Sequence, residues 1–228
     1  MKTTTWKAEL PLWLLLTAMF VLAAATWNTA PDRIPIHWNL SGEADRYAGR
    51  LAGLFLPPLV ALGLYVAMLF LPRVDPWRAN YERFAGAYAA IRVSVLVVPA
   101  LLYGLQHATM AGLPVDRQTV LPLVLCGLLL VLGNVMGKLR PNWFIGIRTP
   151  WTLSSKTAWV RTHRIGGWVL TLLGLAGIVI SALGVRSAQQ ILLGGLLASA
   201  AALTVYSYIV WRDADDKLPP VGTMSVRE

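Results

Sequence analysis

Six apolar stretches, at about 10–28, 51–71, 89–108, 119–137, 165–184 and 188–211, are each long enough to cross roughly 30 Å of hydrocarbon. No water reaches a backbone N–H or C=O inside a bilayer, so such segments must cross as helices. The pattern predicts an all-α integral membrane protein: one domain over 1–228 holding a bundle of six transmembrane helices. Only 14% of the residues are charged and the mean hydropathy is +0.57, which excludes an ordinary soluble domain.

The third stretch is the least regular, with Arg92 near its start and Pro99 inside it. It runs either over 89–108 or from Val93 to Leu113, and Arg92 is expected to snorkel to the interface rather than lie buried. The first stretch follows Lys2 and Lys7 and ends on Ala23-Ala24-Ala25, which also suits a signal peptide. Its apolar length, Leu10 to Ala25, and the bracketing Trp6, Trp13 and Trp27 favour a retained first span.

Basic residues set the orientation. With the N-terminus in the cytoplasm, fifteen Lys and Arg fall inside and five outside, the five being Arg33, Arg46, Arg50, Arg117 and Arg186. This predicts a multi-pass membrane protein with both termini cytoplasmic. The net charge of +9 is then a topology signal, not a nucleic-acid footprint, and no direct nucleic-acid binding is expected.

Two connections exceed simple hairpins: an outer loop over 29–50 and an inner loop over 138–164. Loops on a rigid bundle are where function concentrates. The tail, 212–228, is polar with Pro219-Pro220 and reads as disordered. Small residues recur every four positions, at Gly194, Ala198 and Ala202 in the last span and at Gly177 and Ser181 in the fifth. Packing within the bundle is preferred over a homodimer seam for both.

Candidate chemistry is sparse. His37 and His107 fall on the outer side and His163 on the inner side, so a three-histidine zinc centre is excluded by topology. His37 lies near Asp32, Glu43 and Asp45 without helical ligand spacing, and a hydrogen-bonded loop histidine is the preferred reading. The lone Cys126, inside an apolar run, permits no internal disulfide. No serine or cysteine nucleophile sits in a recognisable frame and no phosphate loop is present. The eleven acidic residues lie outside the confident spans, which argues against a proton-coupled pump. No enzyme activity, metal or cofactor is expected.

The inner loop carries a pattern of its own. Pro141 follows the fourth span, Gly146 allows a turn, and Pro150 stiffens the segment that displays Arg148. Thr152 or Ser154 resembles the N-cap of a short helix from Ser155 to about His163, with Trp159 and His163 on one face. Arg148 is expected to be the hub of a polar network, with Asn142 and His163 as companions.

The run RPNWFIGIRTPWTLSSKTAWVRTHRIGG resembles the signature of the SdpI family of bacterial membrane immunity proteins. The resemblance rests on Pro141, Asn142, Gly146, Ile147, Arg148, Thr149, Pro150, Trp151, Thr152, Trp159, Thr162, His163 and Gly166, within 138–167. Pro35, His37, Trp38, Asn39, Gly42 and Asp45 are similar to the small outer-loop domain that accompanies this signature. The resemblance implies six spans, a non-catalytic immunity or resistance role, and three kinds of partner: membrane lipids, a secreted peptide toxin outside, and a repressor held at the membrane inside. His37, Trp38, Asn39, Gly42 and Asp45 are the candidate toxin contacts. An alternative is a small-molecule or lipid-handling protein with Arg148 as an anion ligand.

Overall fold

A computed structural model describes residues 6–217. It contains α1 (Trp6–Thr26), a hairpin of β1 (Ile34–Trp38) and β2 (Ala44–Ala48), and α2 (Arg50–Val74). A 3₁₀ segment (Arg78–Phe84) leads into α3 (Ala85–Met110), followed by α4 (Arg117–Met136), the short α5 (Pro150–Ser154), α6 (Lys156–Ala182) and α7 (Ala188–Arg212). Six of the helices are long and apolar enough to cross a membrane, as expected. At 1.5 Å per residue, the 25 residues of α2 span about 37 Å. The two long connections lie on opposite sides of the bundle, here termed the hairpin side and the signature side.

Two apolar clusters divide the interior. Leu12, Leu16, Met19 and Ala23 of α1 pack with Leu54, Ala61, Leu96 and Tyr103 of α2 and α3. Tyr81, Phe84, Tyr88 and Ile91 pack with Val135, Met136, Leu139 and Trp159 towards the signature side. Between α4 and α6 the backbones nearly touch. A Cβ on Gly133 would lie 2.8 Å from the Gly167 carbonyl oxygen, and one on Gly167 would lie 2.8 Å from that of Gly133.

The inner connection is shorter than 138–164, because α6 begins at Lys156 and continues unbroken into the fifth span. Ser155 is its N-cap, accepting from the Ala158 N–H, while Thr149 caps α5 in a reciprocal pair with Thr152. Gly177 and Ser181 are buried in the bundle, but Gly194, Ala198 and Ala202 are exposed. The face of α7 that packs runs through Leu192, Gly195, Leu203, Ser207 and Val210 instead, one residue around the helix. Small residues alone do not fix that rotation. The tail is also ordered at its start: Asp216 accepts from Ser155 Oγ at 2.6 Å and from the Thr157 N–H at 2.9 Å. The rest of the expected disordered tail, 218–228, lies outside the described residues.

Arg92 departs furthest from its expected place at the interface. It does not snorkel; it is buried and pairs at 2.6 Å with Glu9, also buried, while the Tyr65 hydroxyl donates to the same carboxylate at 2.9 Å. Trp13 Nε1 donates to the Tyr65 oxygen at 2.6 Å. α1 starts early enough to enclose Glu9, so an acidic residue lies within a span after all. An arginine and a carboxylate on facing helices satisfy each other more readily than either reaches water.

Candidate functional site

On the signature side, the loop between α4 and α5 closes on itself through Asn142. This side chain is fully buried, and its Oδ1 accepts from the N–H groups of Phe144 (3.0 Å) and Ile145 (2.6 Å). Its Nδ2 donates to the carbonyls of Arg140 (3.0 Å) and Ile145 (2.9 Å). Three residues of irregular backbone are thus held by one amide.

His163 anchors the next segment. One turn earlier on α6, the Trp159 carbonyl lies 2.8 Å from Nδ1, and the Ile147 N–H points at Nε2 from 3.0 Å. A carbonyl can only accept and an N–H can only donate, so the ring is neutral with its proton on Nδ1. The imidazole stacks on the Trp159 ring at 4.0 Å, and Trp159 Nε1 donates to the Leu139 carbonyl at 3.1 Å. Gly146 is required twice over. Its φ is +112°, and a Cβ there would lie 2.3 Å from His163 Nε2. Gly166 is close-packed but less constrained, since its Cβ would meet only the flexible end of Ile147, Cδ1 at 2.5 Å.

Thr152 and Thr149 continue the knot. Thr152 Oγ1 donates to the Ile147 carbonyl at 2.8 Å, and Thr149 Oγ1 lies 2.9 Å from Ser207 Oγ on α7. Trp151 meets Tyr208 edge-on at 5.3 Å, Pro150 opens α5, and Thr162 is buried with no hydrogen-bond partner on its hydroxyl. Arg148 is not the hub. It is exposed and donates a single bond, to the Trp143 carbonyl at 2.7 Å. The buried amide and imidazole organise the loop instead, because they combine donor and acceptor atoms and a guanidinium can only donate.

Sequence reasoning missed the knot's second anchor. Asp75, 2% exposed at the end of α2, accepts from the Trp77 N–H (2.7 Å), the Tyr81 hydroxyl (2.9 Å) and the Trp143 N–H (3.0 Å). Asn80 adds a bond to the Pro141 carbonyl at 2.8 Å. An acid among so many basic residues, placed before Pro76 at a span end, was the available signal. Asp216, just beyond α7, closes the set by accepting from Ser155, the N-cap of α6, and from the Thr157 N–H in its first turn. Burial raises its pKa, but the bonds from Ser155 and Thr157 outweigh that and hold it below the usual carboxylate range.

On the hairpin side, residues 36–45 form a folded cap. Asn39 Oδ1 accepts from the N–H groups of Ser41 (2.9 Å) and Glu43 (3.0 Å), and Gly42 turns the chain at φ +79°. His37 Nδ1 lies 2.5 Å from Asp45 Oδ1, a bond that holds the Asp45 carboxyl below its ordinary range. The base of the hairpin rests on α2, where a Cβ on Gly53 would lie 2.7 Å from that of Ile34. Its tip is tied elsewhere: Gln118 of α4 donates to the Ser41 carbonyl at 2.7 Å, and Gln190 of α7 to that of Leu40 at 3.1 Å. Trp38 is covered by the Arg117 guanidinium, 5.5 Å from its ring. Of the five outer candidates, His37 and Asp45 are exposed, while Trp38, Asn39 and Gly42 are half-buried and build the cap.

Comparison with known proteins bears out the resemblance carried by the signature. Residues 138–207 match the SdpI/YfhL protein family, and residues 14–62 match a domain of unknown function, DUF1648. The chain is 26% identical to "Immunity protein SdpI" of Bacillus subtilis (strain 168) over 189 residues, 82% of this chain and 86% of that protein. No solved structure matches. Asn142, Gly146, Thr149, Thr152, Trp159 and His163 lie inside the first match, whereas Asp75 and Asp216 lie outside both, and α1, the hairpin and the first turns of α2 fall inside or beside the second.

Proposed function

We propose that this membrane protein, SdpI-like along most of its length, is an immunity protein that protects the bacterium from a membrane-active peptide. Its kinship to a protein named for immunity, over 82% of the chain, carries this reading. The hairpin side faces outwards and the signature side faces the cytoplasm, in keeping with the excess of basic residues on the latter. The mechanism is non-catalytic. The peptide meets the cap at the exposed His37–Asp45 pair, and the cap, seated on α2 and tied to α4 and α7, passes the contact to both parts of the bundle.

The knot around Asn142 and His163 fixes the cytoplasmic ends of the same helices, so a rotation of α6 or α7 would alter the surface it presents. That surface is where a repressor would be held. Expression in a sensitive host followed by challenge with membrane-active peptides tests the first part. Protection should appear with the intact chain and fall with His37→Ala/Asp45→Ala. A well-expressed protein that protects against none of them would refute immunity. Membrane fractionation of a tagged repressor, with and without peptide, tests the second part.

A further inference from the structure

A groove of about 740 Å³ opens on the hairpin side, between the end of α1 and the first turns of α2. Its walls are apolar: Trp27, Leu51, Phe55, Leu56 and Leu59, with the Trp27 and Phe55 rings 6.0 Å apart. Leu51, Leu56 and Leu59 are each more than half exposed, so the groove is continuous with the surface that lipid covers. From Arg50 to Leu59 it follows α2 for about 13 Å, the reach of the upper part of an acyl chain. At its mouth sits one cation, Arg50, 36% exposed, with Nε lacking any hydrogen-bond partner. Its one partner is Asp32, 3.0 Å away and 90% exposed, and an ion pair so open to solvent is weak.

We infer that this groove is a binding site for an anionic phospholipid of the leaflet on the hairpin side, with its phosphate on Arg50 and one chain along Leu51–Leu59. The arginine fork suits a phosphodiester, and Asp32 is the group the phosphate displaces. An apolar channel ending in a single guanidinium at the helix end is complementary to one negative head and one tail. An extended apolar peptide would fill the walls but leave the guanidinium on Asp32. The site is independent of the immunity reading, since lipid is present whether or not a toxin is.

The test uses the full chain in mild detergent, titrated with phosphatidylglycerol and phosphatidylcholine and read by native mass spectrometry. Phosphatidylglycerol should bind about tenfold more tightly, a preference that Arg50→Gln abolishes. Arg46→Gln, on the neighbouring strand, should leave it intact. Asp32→Asn supplies the opposite sign: freeing the guanidinium should tighten phosphatidylglycerol binding several-fold, whereas a purely structural ion pair predicts no gain. Equal binding of the two lipids, or Arg50→Gln and Asp32→Asn both behaving like wild type, overturns the assignment. So would competition by a neutral apolar peptide that Arg50→Gln does not affect, because that would make the groove a peptide site.

Discussion

Arg92→Leu is the most informative single substitution in the bundle, because it leaves Glu9 buried with only the Tyr65 hydroxyl. Removing one member of a buried ion pair typically costs about 3–5 kcal/mol. A ceiling comes from neutralisation. Protonating an ordinary carboxyl at pH 7 spans about 2.7 pH units at 1.36 kcal/mol each, roughly 3.7 kcal/mol. Arg92→Leu should therefore cost about 3–4 kcal/mol. Glu9→Gln has no such outlet, since a guanidinium stays charged, and should cost about 4–5 kcal/mol. Glu9→Gln together with Arg92→Leu removes both charges and should return to within about 1–2 kcal/mol of wild type. The assay is reversible unfolding in detergent micelles, followed by tryptophan fluorescence. If Arg92→Leu lies within about 0.5 kcal/mol of wild type, or the two changes simply add, the pair does not hold α1 to α2 and α3.

Other perturbations probe each face. Asn142→Ala strands two part-buried N–H donors and two carbonyls around a fully buried side chain and should destabilise by about 2–4 kcal/mol, with Asn142→Asp no better because it cannot donate to two carbonyls; thermal melts would decide this. Gly146→Ala should be worse tolerated than Gly137→Ala, whose Cβ would come no closer than 3.7 Å to a neighbour; expression and melting temperature compare the two. The His37 bond lowers the Asp45 pKa, so this pair stabilises the cap fully above the ordinary carboxylate range. The contribution fades as pH falls through the lower, folded value, and Asp45→Asn should remove that pH dependence from amide exchange across the hairpin. For orientation, Ser41→Cys should react with an impermeant thiol reagent on intact cells and Lys138→Cys should not; the buried Cys126 can stay in place. Labelling of Lys138→Cys alone would invert the topology.

Hydropathy is a local property, so the sequence by itself determined the six spans, the two long connections and the crowding of basic residues on one side. Trp159 and His163 likewise share a helical face by spacing alone. Contacts between distant segments were a different matter. Glu9 meets Arg92 across 83 positions, Asp75 meets Trp143 across 68, and Ser155 meets Asp216 across 61. Apolar surface faces lipid as readily as it faces a neighbouring helix, so composition does not reveal how each helix is rotated. Small residues at Gly194, Ala198 and Ala202 therefore do not mark the packed face of α7, and the position of Arg92 near a span end does not reveal its partner. Nor does a conspicuous cation such as Arg148 mark the organising group of the signature, a role that Asn142 and His163 fill. Tertiary packing decided which polar groups were shut away from both water and lipid, and each of those had to find its partner on another helix or in the backbone.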